Sequence, residues 1–537
     1  MRARLTALVV PALLALLAGW IFHLTVVDIP AAANAGRLAQ PWPDGAEYLD
    51  VAVALAHRGE ASIHLAGEDL PARFPVGYST AIAGALLLGS DPLIAPQRTN
   101  QAAGALLLVF FVALLGLRRH YLAAGLAALL LATLPAFIIL CRSPMSEVSS
   151  TLMSVVAVGL LYGFARSPTS GPGARRGVAL GIVGAAILGL GLGFRTANVL
   201  LLAFLPAAIL ARDSGRRLKD LVLLGLAAAI GVLPLLAFNG SVFGHPLASG
   251  YSYWLPEWNA SAAFSSDFVS DNLAYYGREL RQQETDYSSA THFGQQRGSY
   301  VTPAFVLLAL VGLGRMWRRR RLRLFAAAGI VALAAMAFYA FHDTRLIFPL
   351  LVLPIPAIAI GLGEIFASRG RLAVPLATAL LCLTVLGWPS GDGHSETTEL
   401  VTTAHRRPAY PGFDSLRRFR ALDEASEPGL ILTDMPPPYV HAALSWRGEE
   451  SRAVVAPLDD DHLYTTNPEV FQFGEAERIA RISEALLAGD PVWVITAKQD
   501  IFSLASTLPP PTDYGWEVVL HTRPTSGVAR LVALAPE

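Results

Sequence analysis

The sequence predicts a polytopic α-helical membrane protein with about eleven transmembrane helices and a small α/β region at its C-terminal end. Three observations predict this fold class. The chain is 53% hydrophobic and 15% charged, whereas soluble proteins carry about 25% charged residues. Its apolar residues form runs near the length of about 20 residues that a helix needs to cross a bilayer. The formal net charge of +0 conceals a segregation, because arginines fill the short loops and carboxylates collect in longer ones.

The predicted spans are apolar runs bounded by charged or turn-forming residues. A further run, 78–89, is too short to cross about 30 Å of hydrocarbon and predicts an interfacial or re-entrant helix. The first run is preceded by a basic tetrapeptide like that of a secretory signal, but its length of about 23 residues favours a retained helix. The runs cover residues 5–27, 97–117, 121–140, 148–165, 177–194, 197–211, 220–238, 301–317, 324–341, 346–366 and 372–388.

The distribution of basic loops predicts the orientation. If 78–89 does not cross the membrane, all the short basic loops lie on one side, which the positive-inside rule makes cytoplasmic. If 78–89 crossed, every basic loop from Arg118 onward would change sides. The expected protein is a multi-pass protein of the bacterial inner (plasma) membrane, with outer loops at 28–96 and 239–300. The basic loops are Arg2/Arg4, Arg118/Arg119, Arg166 to Arg176, Arg212 to Lys219, Arg315 to Arg323 and Arg369/Arg371.

The composition changes after Trp388-Pro389, which predicts a transmembrane domain at 1–390 and an extracytoplasmic α/β domain at 391–537. Short apolar runs alternate there with a stretch of helical periodicity, 475–487. This region contains no phosphate loop, no GxGxxG and no metal-ligand spacing, so a structural or partner-binding role is favoured over catalysis. The apolar runs cover residues 429–434, 452–456, 491–496, 516–520 and 528–533.

Ionisable side chains at the outer ends of the predicted helices are the candidates for chemistry. Such groups are costly at membrane depth, by about 2.5–3.5 kcal/mol at the bilayer centre, unless pairing or function retains them. Carboxylates in this group are possible bases, and the arginines suit an anion, best a phosphate. The candidates are Asp44, Glu47, Arg73, Arg142, Glu147, Arg195, His342, Asp343 and Arg345.

Each of these residues also has a structural explanation. Asp44 has the position of a helix N-cap, and Glu147 that of a first-turn carboxylate favoured by the helix dipole. Arg195 and Arg345 are possible interfacial anchors, and Asp343 is a possible partner for Arg345. The functional interpretation is favoured by convergence, because loops far apart in sequence bring opposite charges to one face.

Several motifs occur in a fixed order over residues 1–390, all on the predicted outer side. They are Pro43-Asp-Gly-Ala-Glu-Tyr-Leu49, Arg73-Phe-Pro-Val-Gly-Tyr78, Ser143-Pro-Met-Ser-Glu147, Gly191-Leu-Gly-Phe-Arg-Thr196, Phe238-Asn-Gly-Ser-Val-Phe-Gly-His-Pro246 and His342-Asp-Thr-Arg-Leu-Ile-Phe-Pro349. This order resembles the GT-C fold glycosyltransferases that use polyprenyl-phosphate sugars. That group includes protein O-mannosyltransferases, aminoarabinose lipid A transferases and Rgt-type galacturonosyl transferases.

The resemblance assigns roles to individual residues. Asp44 and Tyr48 match an Asp-x-x-x-Tyr arrangement, which makes Asp44 the expected catalytic base and Glu47 a second candidate. Arg73 precedes a Pro-x-Gly-Tyr step and is the expected lipid-phosphate contact, although one proline stands where many members have two. The remaining implied roles are Arg195 and Arg345 for the donor phosphate, and Tyr48, Tyr78, Glu147 and His342 for substrate or metal, with Asp44 and Glu147 as possible ligands of a divalent cation.

The implied activity is sugar transfer from a polyprenyl-phosphate donor to a hydroxyl of a glycolipid, polysaccharide or protein, with inversion at the anomeric carbon. No nucleotide site, nucleic acid or certain cofactor is expected. The rivals are a lipid-linked glycan polymerase or ligase, a transporter, and an inactive scaffold. The sequence lacks the internal repeat and mid-helix breaks typical of secondary transporters. Aromatics of the second outer loop, which suit sugar stacking and an interfacial belt equally, are Tyr251, Tyr253, Trp254, Trp258, Tyr275 and Tyr276.

Overall fold

Long apolar helices dominate this computed structural model. Those long and apolar enough to cross a bilayer are Val9–Val27, Ala95–Gly116, Glu147–Arg166, Pro172–Gly193 and Arg217–Phe243. The chain is therefore a multi-pass membrane protein. The structure describes residues 2–27, 44–90, 92, 94–212, 215–254, 264–280, 303–339, 344–368, 429–434, 437–445, 453–458, 471, 473–496, 508, 510–523 and 526–533.

Two further spans are each built from a bent pair of helices. Tyr121–Ala132 and Ala136–Arg142 meet at 68°, and Arg345–Val352 and Ile355–Phe366 meet at 41°. Pro354 stands at the second break, where the missing N–H of a proline interrupts the helical ladder. Counting each pair as one span, the described part of the chain has up to 7 spans. The number of about eleven stays a prediction, and the run 372–388 lies outside the described residues.

The other helices are short or end close to the outer face. Thr196–Ala211 and Phe305–Arg315 are apolar but shorter than the spans above. The helical bounds not yet given are Arg2–Phe22 with His23–Val27 continuing it, Asp44–Arg58, Gly77–Leu87, Gly250–Trp254, Ser266–Phe268, Val269–Leu280, Pro303–Met316, Arg320–Met336, Thr344–Ile347, Phe348–Val352, Ile355–Ser368, Pro437–Leu444 and Glu475–Ala488.

The helix Gly77–Leu87 begins and ends on one side of the bundle. Its 11 residues extend about 16 Å, roughly half the thickness of the hydrocarbon core. The Tyr78 hydroxyl donates a hydrogen bond of 2.9 Å to the carbonyl of Pro96, in the first turn of the next span. The chain therefore returns to the level at which the helix started, which is the geometry expected of a segment that does not cross, and the non-crossing of 78–89 stays a prediction.

The basic loops lie together at the opposite end of the bundle. The Arg118 and Arg166 guanidinium groups lie 5.5 Å and 5.9 Å from the centre of the Tyr162 ring. Arg321 Nε donates to the carbonyl of Ala211 at 3.3 Å. Arginines from three separate loops thus share one end, which agrees with the orientation predicted from charge.

The C-terminal α/β region (429–533) contains a five-stranded sheet. We number the strands β1 Ser62–Leu65, β2 Glu68–Pro71, β3 Leu430–Thr433, β4 Val454–Pro457, β5 Val492–Thr496, β6 Tyr514–Arg523 and β7 Ser526–Ala533. The sheet order is β4-β3-β5-β7-β6. β3 pairs in parallel with β4 and β5, and β7 pairs antiparallel with β5 and β6. The strands and the helix Glu475–Ala488 lie where the sequence predicts them.

The C-terminal α/β region packs directly on the first outer segment. That segment consists of the helix Asp44–Arg58, which we call the acidic helix, and the antiparallel hairpin of β1 and β2. The backbone N–H of Ala66, in the hairpin turn, donates to the carbonyl of Val455 in β4 at 2.8 Å. Side chains of the acidic helix and of Pro437–Leu444 also share one apolar cluster. The C-terminal α/β region therefore lies on the same side of the bundle as the acidic helix.

Candidate active site

The acidic helix is the element on which the site is built. Its first turn carries Asp44 and Glu47 and its last turn His57 and Arg58, the arrangement that the helix dipole favours. The residues between are mostly alanine, leucine and valine, and every residue from 45 to 54 is buried. A helix this deeply buried places its ionisable side chains in fixed positions.

Asp44 is the first residue of the acidic helix and pairs with Arg345. Arg345 Nη1 donates to Asp44 Oδ2 at 3.2 Å, joining residues 301 positions apart. The two side chains are 19% and 21% exposed, so this pair is open to a ligand from solvent. The Asp44 carboxylate therefore points at the guanidinium group of Arg345, which belongs to a distant part of the chain. Asp343, the alternative partner for Arg345, lies outside the described residues.

Glu47 lies one turn further along and faces Arg73. Arg73 Nη2 is 3.3 Å from Glu47 Oε1, and the side chains are only 6% and 2% exposed. The Arg73 guanidinium also lies 5.5 Å from the ring centre of Trp254 and 5.9 Å from that of Phe74. Aromatic faces attract a guanidinium and hold it in place. Arg73 is thus fixed beside the acidic helix by one carboxylate and two rings.

Glu147 and Arg195 form the third pair. Arg195 Nη1 lies 2.5 Å from Glu147 Oε1, and Glu147 stands in the first turn of Glu147–Arg166. The preceding residue, Ser146, makes a hydrogen bond of 3.2 Å with the Tyr48 hydroxyl of the acidic helix. The predicted first-turn position and the predicted outer-face charge are therefore both observed, in contact with the acidic helix.

The two predicted tyrosines differ in their surroundings. Burial, followed by the nearby Asp44 carboxylate, raises the pKa of Tyr48, so this hydroxyl keeps its proton at neutral pH. Tyr78 packs edge-on against Tyr48 at 5.1 Å and is fully buried. Because its hydroxyl is bonded to Pro96, Tyr78 lies in a packing position rather than at an open surface. His342 lies outside the described residues.

Asn100 is a site residue that the sequence analysis did not identify. Its amide donates to the carbonyls of Ser143 and Met145 at 2.7 Å and 2.6 Å, and its oxygen accepts from Ser149 Oγ at 3.0 Å. The loop that carries Ser146 is thereby held to the neighbouring span. The sequence signal that would have identified Asn100 is an amide side chain in an otherwise apolar predicted span, where a polar group is costly.

Two glycines permit the close approach of the site segments. A Cβ atom at Gly45 would lie 2.8 Å from Pro144 Cγ, and one at Gly77 would lie 2.6 Å from the carbonyl oxygen of Gly193. The acidic helix therefore contacts the loop before Glu147, and the helix Gly77–Leu87 contacts the segment before Arg195. Larger residues would push these segments apart.

A groove runs beside Arg73 toward the long span Arg217–Phe243. Its cavity volume is only about 20 Å³, and its walls are mainly apolar. Phe74 and Tyr251, two of the lining residues, pack edge-on at 5.6 Å. An apolar groove with a guanidinium at one end suits an amphipathic ligand that carries an anionic group.

The described residues do not offer a donor set for a divalent cation. No group of three or more His, Cys, Asp or Glu side chains converges among them. Asp44 and Glu147, the two predicted ligands, each contact an arginine instead. That Asp44 or Glu147 binds a divalent cation stays a prediction.

The fold is that of the GT-C membrane glycosyltransferases, as the order of the sequence motifs predicted. The chain is similar to ArnT from Cupriavidus metallidurans bound to undecaprenyl phosphate, with a TM-score of 0.62, 13% identity and 97% of each chain covered. It is also similar to the Archaeoglobus fulgidus oligosaccharyltransferase in complex with Zn and sulfate, with a TM-score of 0.53 and 14% identity, over 96% of this chain and 72% of that one.

A second structure of the Archaeoglobus fulgidus oligosaccharyltransferase, tethered with an acceptor peptide containing the NVT sequon, gives a TM-score of 0.52 at 14% identity, over 93% of this chain and 70% of that one. The sequence matches no protein-family model and no curated protein. Identities this low establish a shared fold over nearly the whole chain, and the chemistry has to be argued from the site.

Proposed function

We propose that this protein transfers a sugar from a polyprenyl-phosphate donor to an acceptor hydroxyl at the outer face of the bacterial inner membrane. The observation that carries the proposal is the acidic helix, whose Asp44 meets Arg345 while the Glu47–Arg73 pair lies one turn away. A partly open carboxylate beside several guanidinium groups provides a base and an anion site together.

Asp44 acts as the general base. It accepts the proton of the acceptor hydroxyl as that oxygen forms a bond to the anomeric carbon, and the bond from this carbon to the donor phosphate oxygen breaks. General-base assistance contributes about 10²–10⁴-fold to such a rate. Attack from the side opposite the leaving phosphate inverts the anomeric carbon. A single base is sufficient, whereas a retaining route requires a nucleophile about 5 Å from a second carboxylate.

The arginines stabilise the leaving lipid phosphate. Bidentate guanidinium contacts suit a phosphate that gains charge as the glycosidic bond breaks, so the leaving group needs no proton. In the ligand-free arrangement Arg345 is neutralised by Asp44. A donor phosphate that takes over Arg345 leaves the Asp44 carboxylate available to the acceptor. Arg73 and Arg195, each paired with a buried glutamate, are the other guanidinium groups close to the acidic helix.

The groove beside Arg73 is the proposed entry for the donor. Its charged end suits the phosphate, and its apolar walls along Arg217–Phe243 must move apart to admit the first isoprene units, because the groove holds only about 20 Å³. The similar fold of ArnT, which was crystallised with undecaprenyl phosphate, supports a lipid phosphate of this class. We place the active site and the whole 391–537 domain on the extracytoplasmic side. The acceptor is a glycolipid, a polysaccharide or a protein.

A lipid-linked glycan polymerase or ligase is the second candidate. It shares the donor chemistry and the orientation, and the similarity in fold to an oligosaccharyltransferase favours it over other rivals. A transporter is less well supported, because the site charges stand at helix ends and in outer segments rather than in the middle of spans.

Mass spectrometry of envelope glycolipids and glycoproteins tests the proposal. Cells lacking the protein should lose one sugar from one envelope component, and the wild-type gene should restore it. The matched control is Asp44→Asn, which keeps the shape of the side chain and should accumulate in the membrane without restoring the sugar. If no component changes mass, or if Asp44→Asn restores the sugar fully, the proposed reaction is wrong.

A further inference from the structure

The acidic helix is held from behind by a buried contact with the C-terminal α/β region. Asp50 Oδ1 lies 2.6 Å from His441 Nδ1, across 391 positions of sequence, and Asp50 Oδ2 accepts the backbone N–H of His64 at 2.6 Å. The Asp50 and His441 side chains are 2% and 3% exposed. One carboxylate therefore joins the acidic helix, the β1–β2 hairpin and the helix Pro437–Leu444.

Asp50 points away from the side of the acidic helix that carries Tyr48. At 3.6 residues per turn, a residue two positions after Tyr48 is rotated by about 200° around the helix axis, and a residue three positions after Glu47 lies about 60° from it. Tyr48 contacts Ser146, so Asp50 lies on the other side of the helix from that contact and next to the Glu47 side. A contact there fixes the rotation of the helix, and with it the direction of Asp44 and Glu47.

The Asp50 contact adds a directional interaction to the apolar packing that holds this helix in place. Ala46, Leu49 and Val53 share an apolar cluster with Tyr439 and Val440 of Pro437–Leu444. Apolar contacts are non-directional, whereas a hydrogen-bonded charge has one favourable position. Buried ionic pairs add little net stability, and their best-attested use is to specify one register among several.

Neighbouring groups support the same contact. The His64 and His441 rings stack at 4.2 Å, and Asp69 accepts hydrogen bonds from Arg58 at 3.0 Å and lies 3.4 Å from His64 Nδ1. Among the described residues, these side chains form no group able to hold a metal. The arrangement is a chain of contacts that ends on Asp50.

We propose that His441 is a positioning residue for the transfer reaction, acting through Asp50 to hold the acidic helix in its catalytic orientation. The C-terminal α/β region is then part of the catalytic assembly rather than an appendage. This inference rests on the proposed glycosyl transfer only for its kinetic consequence. Its structural consequence, a loosened acidic helix, is measurable without a substrate.

The test compares His441→Leu with His441→Asn in the full-length protein in nanodiscs. Asparagine places an N–H near the position of Nδ1, and leucine removes the donor. Deuterium uptake by residues 44–58 should rise in His441→Leu and return toward the wild-type level in His441→Asn, with no change in Arg320–Met336. His57→Leu, an exposed histidine of the same helix, is the matched control and should resemble the wild type.

Kinetics provide the second measurement, with the donor and acceptor identified from the envelope comparison. In His441→Leu, kcat per folded molecule should fall about 10²-fold, the effect of a small misplacement of catalytic groups. The donor KM should change little, and His441→Asn should recover most of the rate. If His441→Leu does not fold, Asp50→Asn makes the same test with little change in volume.

The outcomes separate the two proposals. Unchanged deuterium uptake in 44–58, or equal defects in the leucine and asparagine variants, would overturn the positioning role. A wild-type protein that transfers no sugar, while His441→Leu still loosens the acidic helix, would overturn the proposed reaction and leave the positioning contact standing.

Discussion

The two ends of the helix bundle use charge differently. At the site end, carboxylates and arginines from distant elements pair in partly or fully buried positions, as in Asp44–Arg345 and Glu147–Arg195. At the basic end, Arg315 and Arg319 contact Glu364 with side chains 45%, 48% and 31% exposed. The buried pair at that end, Arg212–Asp220, joins residues only 8 apart.

This difference shows which charges the fold itself requires. The basic end needs positive charge to set the orientation in the membrane, and exposed arginines are sufficient for that. The site end gains little net stability from burying charge. Ionic groups that converge there from five segments are therefore best explained by a ligand of opposite charge and a proton to be moved.

The largest expected effect is on turnover at the site end. Asp44→Asn should lower kcat about 10²–10⁴-fold, because the amide cannot accept the acceptor proton. Glu364→Gln, an equivalent change at the basic end, should leave kcat unchanged. Transfer rates for both variants, per mole of folded protein in nanodiscs, make the comparison. Similar losses in the two variants would remove the distinction between the ends.

The next effect is on stability. Glu147→Gln or Arg195→Gln leaves one buried charge without its partner, and each should reduce the free energy of unfolding by about 3–5 kcal/mol. The double variant should lose less than the sum of the two, because it removes both charges. Chemical unfolding in detergent measures all three. Additive losses would mean that the two side chains act independently.

Much of the fold followed from local patterns. The spans, the non-crossing helix Gly77–Leu87 and the C-terminal strands each have a period or length that short windows of sequence reveal. The alternation of basic loops along the chain predicted that Asp44, Glu147 and Arg195 lie on the same, outer side. What the sequence could not supply were the pairings, since the partner of Asp44 stands 301 positions away.

The same limit explains the residues that were missed. Asn100 acts through backbone carbonyls of another segment, and backbone groups carry no sequence signature. His441 stands in a region with no recognisable motif, and its role depends on how that region docks. Tertiary contacts of this kind are specified by the whole packing arrangement rather than by spacing along the chain.

A smaller effect is expected from pH at the junction between the acidic helix and the C-terminal α/β region. Burial, followed by the nearby His441, lowers the pKa of His64 below its usual 6.5, with Asp50 and Asp69 opposing the shift. As the pH falls below 6.5, the unfolded chain binds this proton more readily than the folded one, so stability falls. Above 6.5 both states are neutral at this residue, and its contribution is constant.

His64→Gln isolates the contribution of His64 to the pH dependence of stability. The difference in Tm between the wild type and the variant should be constant above pH 7 and should shift in favour of the variant as the pH falls below about 6. The hydrogen bonds between Arg58 and Asp69 remain in both proteins. A difference that stays constant across the acidic range would show that His64 does not report on this junction.

The smallest effect is expected at the basic end. Arg319→Gln removes one partner of a half-exposed contact with Glu364, while Arg315 still reaches the same carboxylate at 3.2 Å. Exposed pairs contribute about 0–1 kcal/mol, and salt screens them. Unfolding of the variant should therefore match the wild type within about 1 kcal/mol, and the small difference should vanish at high salt. A loss in the free energy of unfolding as large as that expected for Glu147→Gln would mean that buried and exposed charge pairs stabilise the protein equally. Converging charges would then not distinguish the catalytic end of the bundle from the basic end.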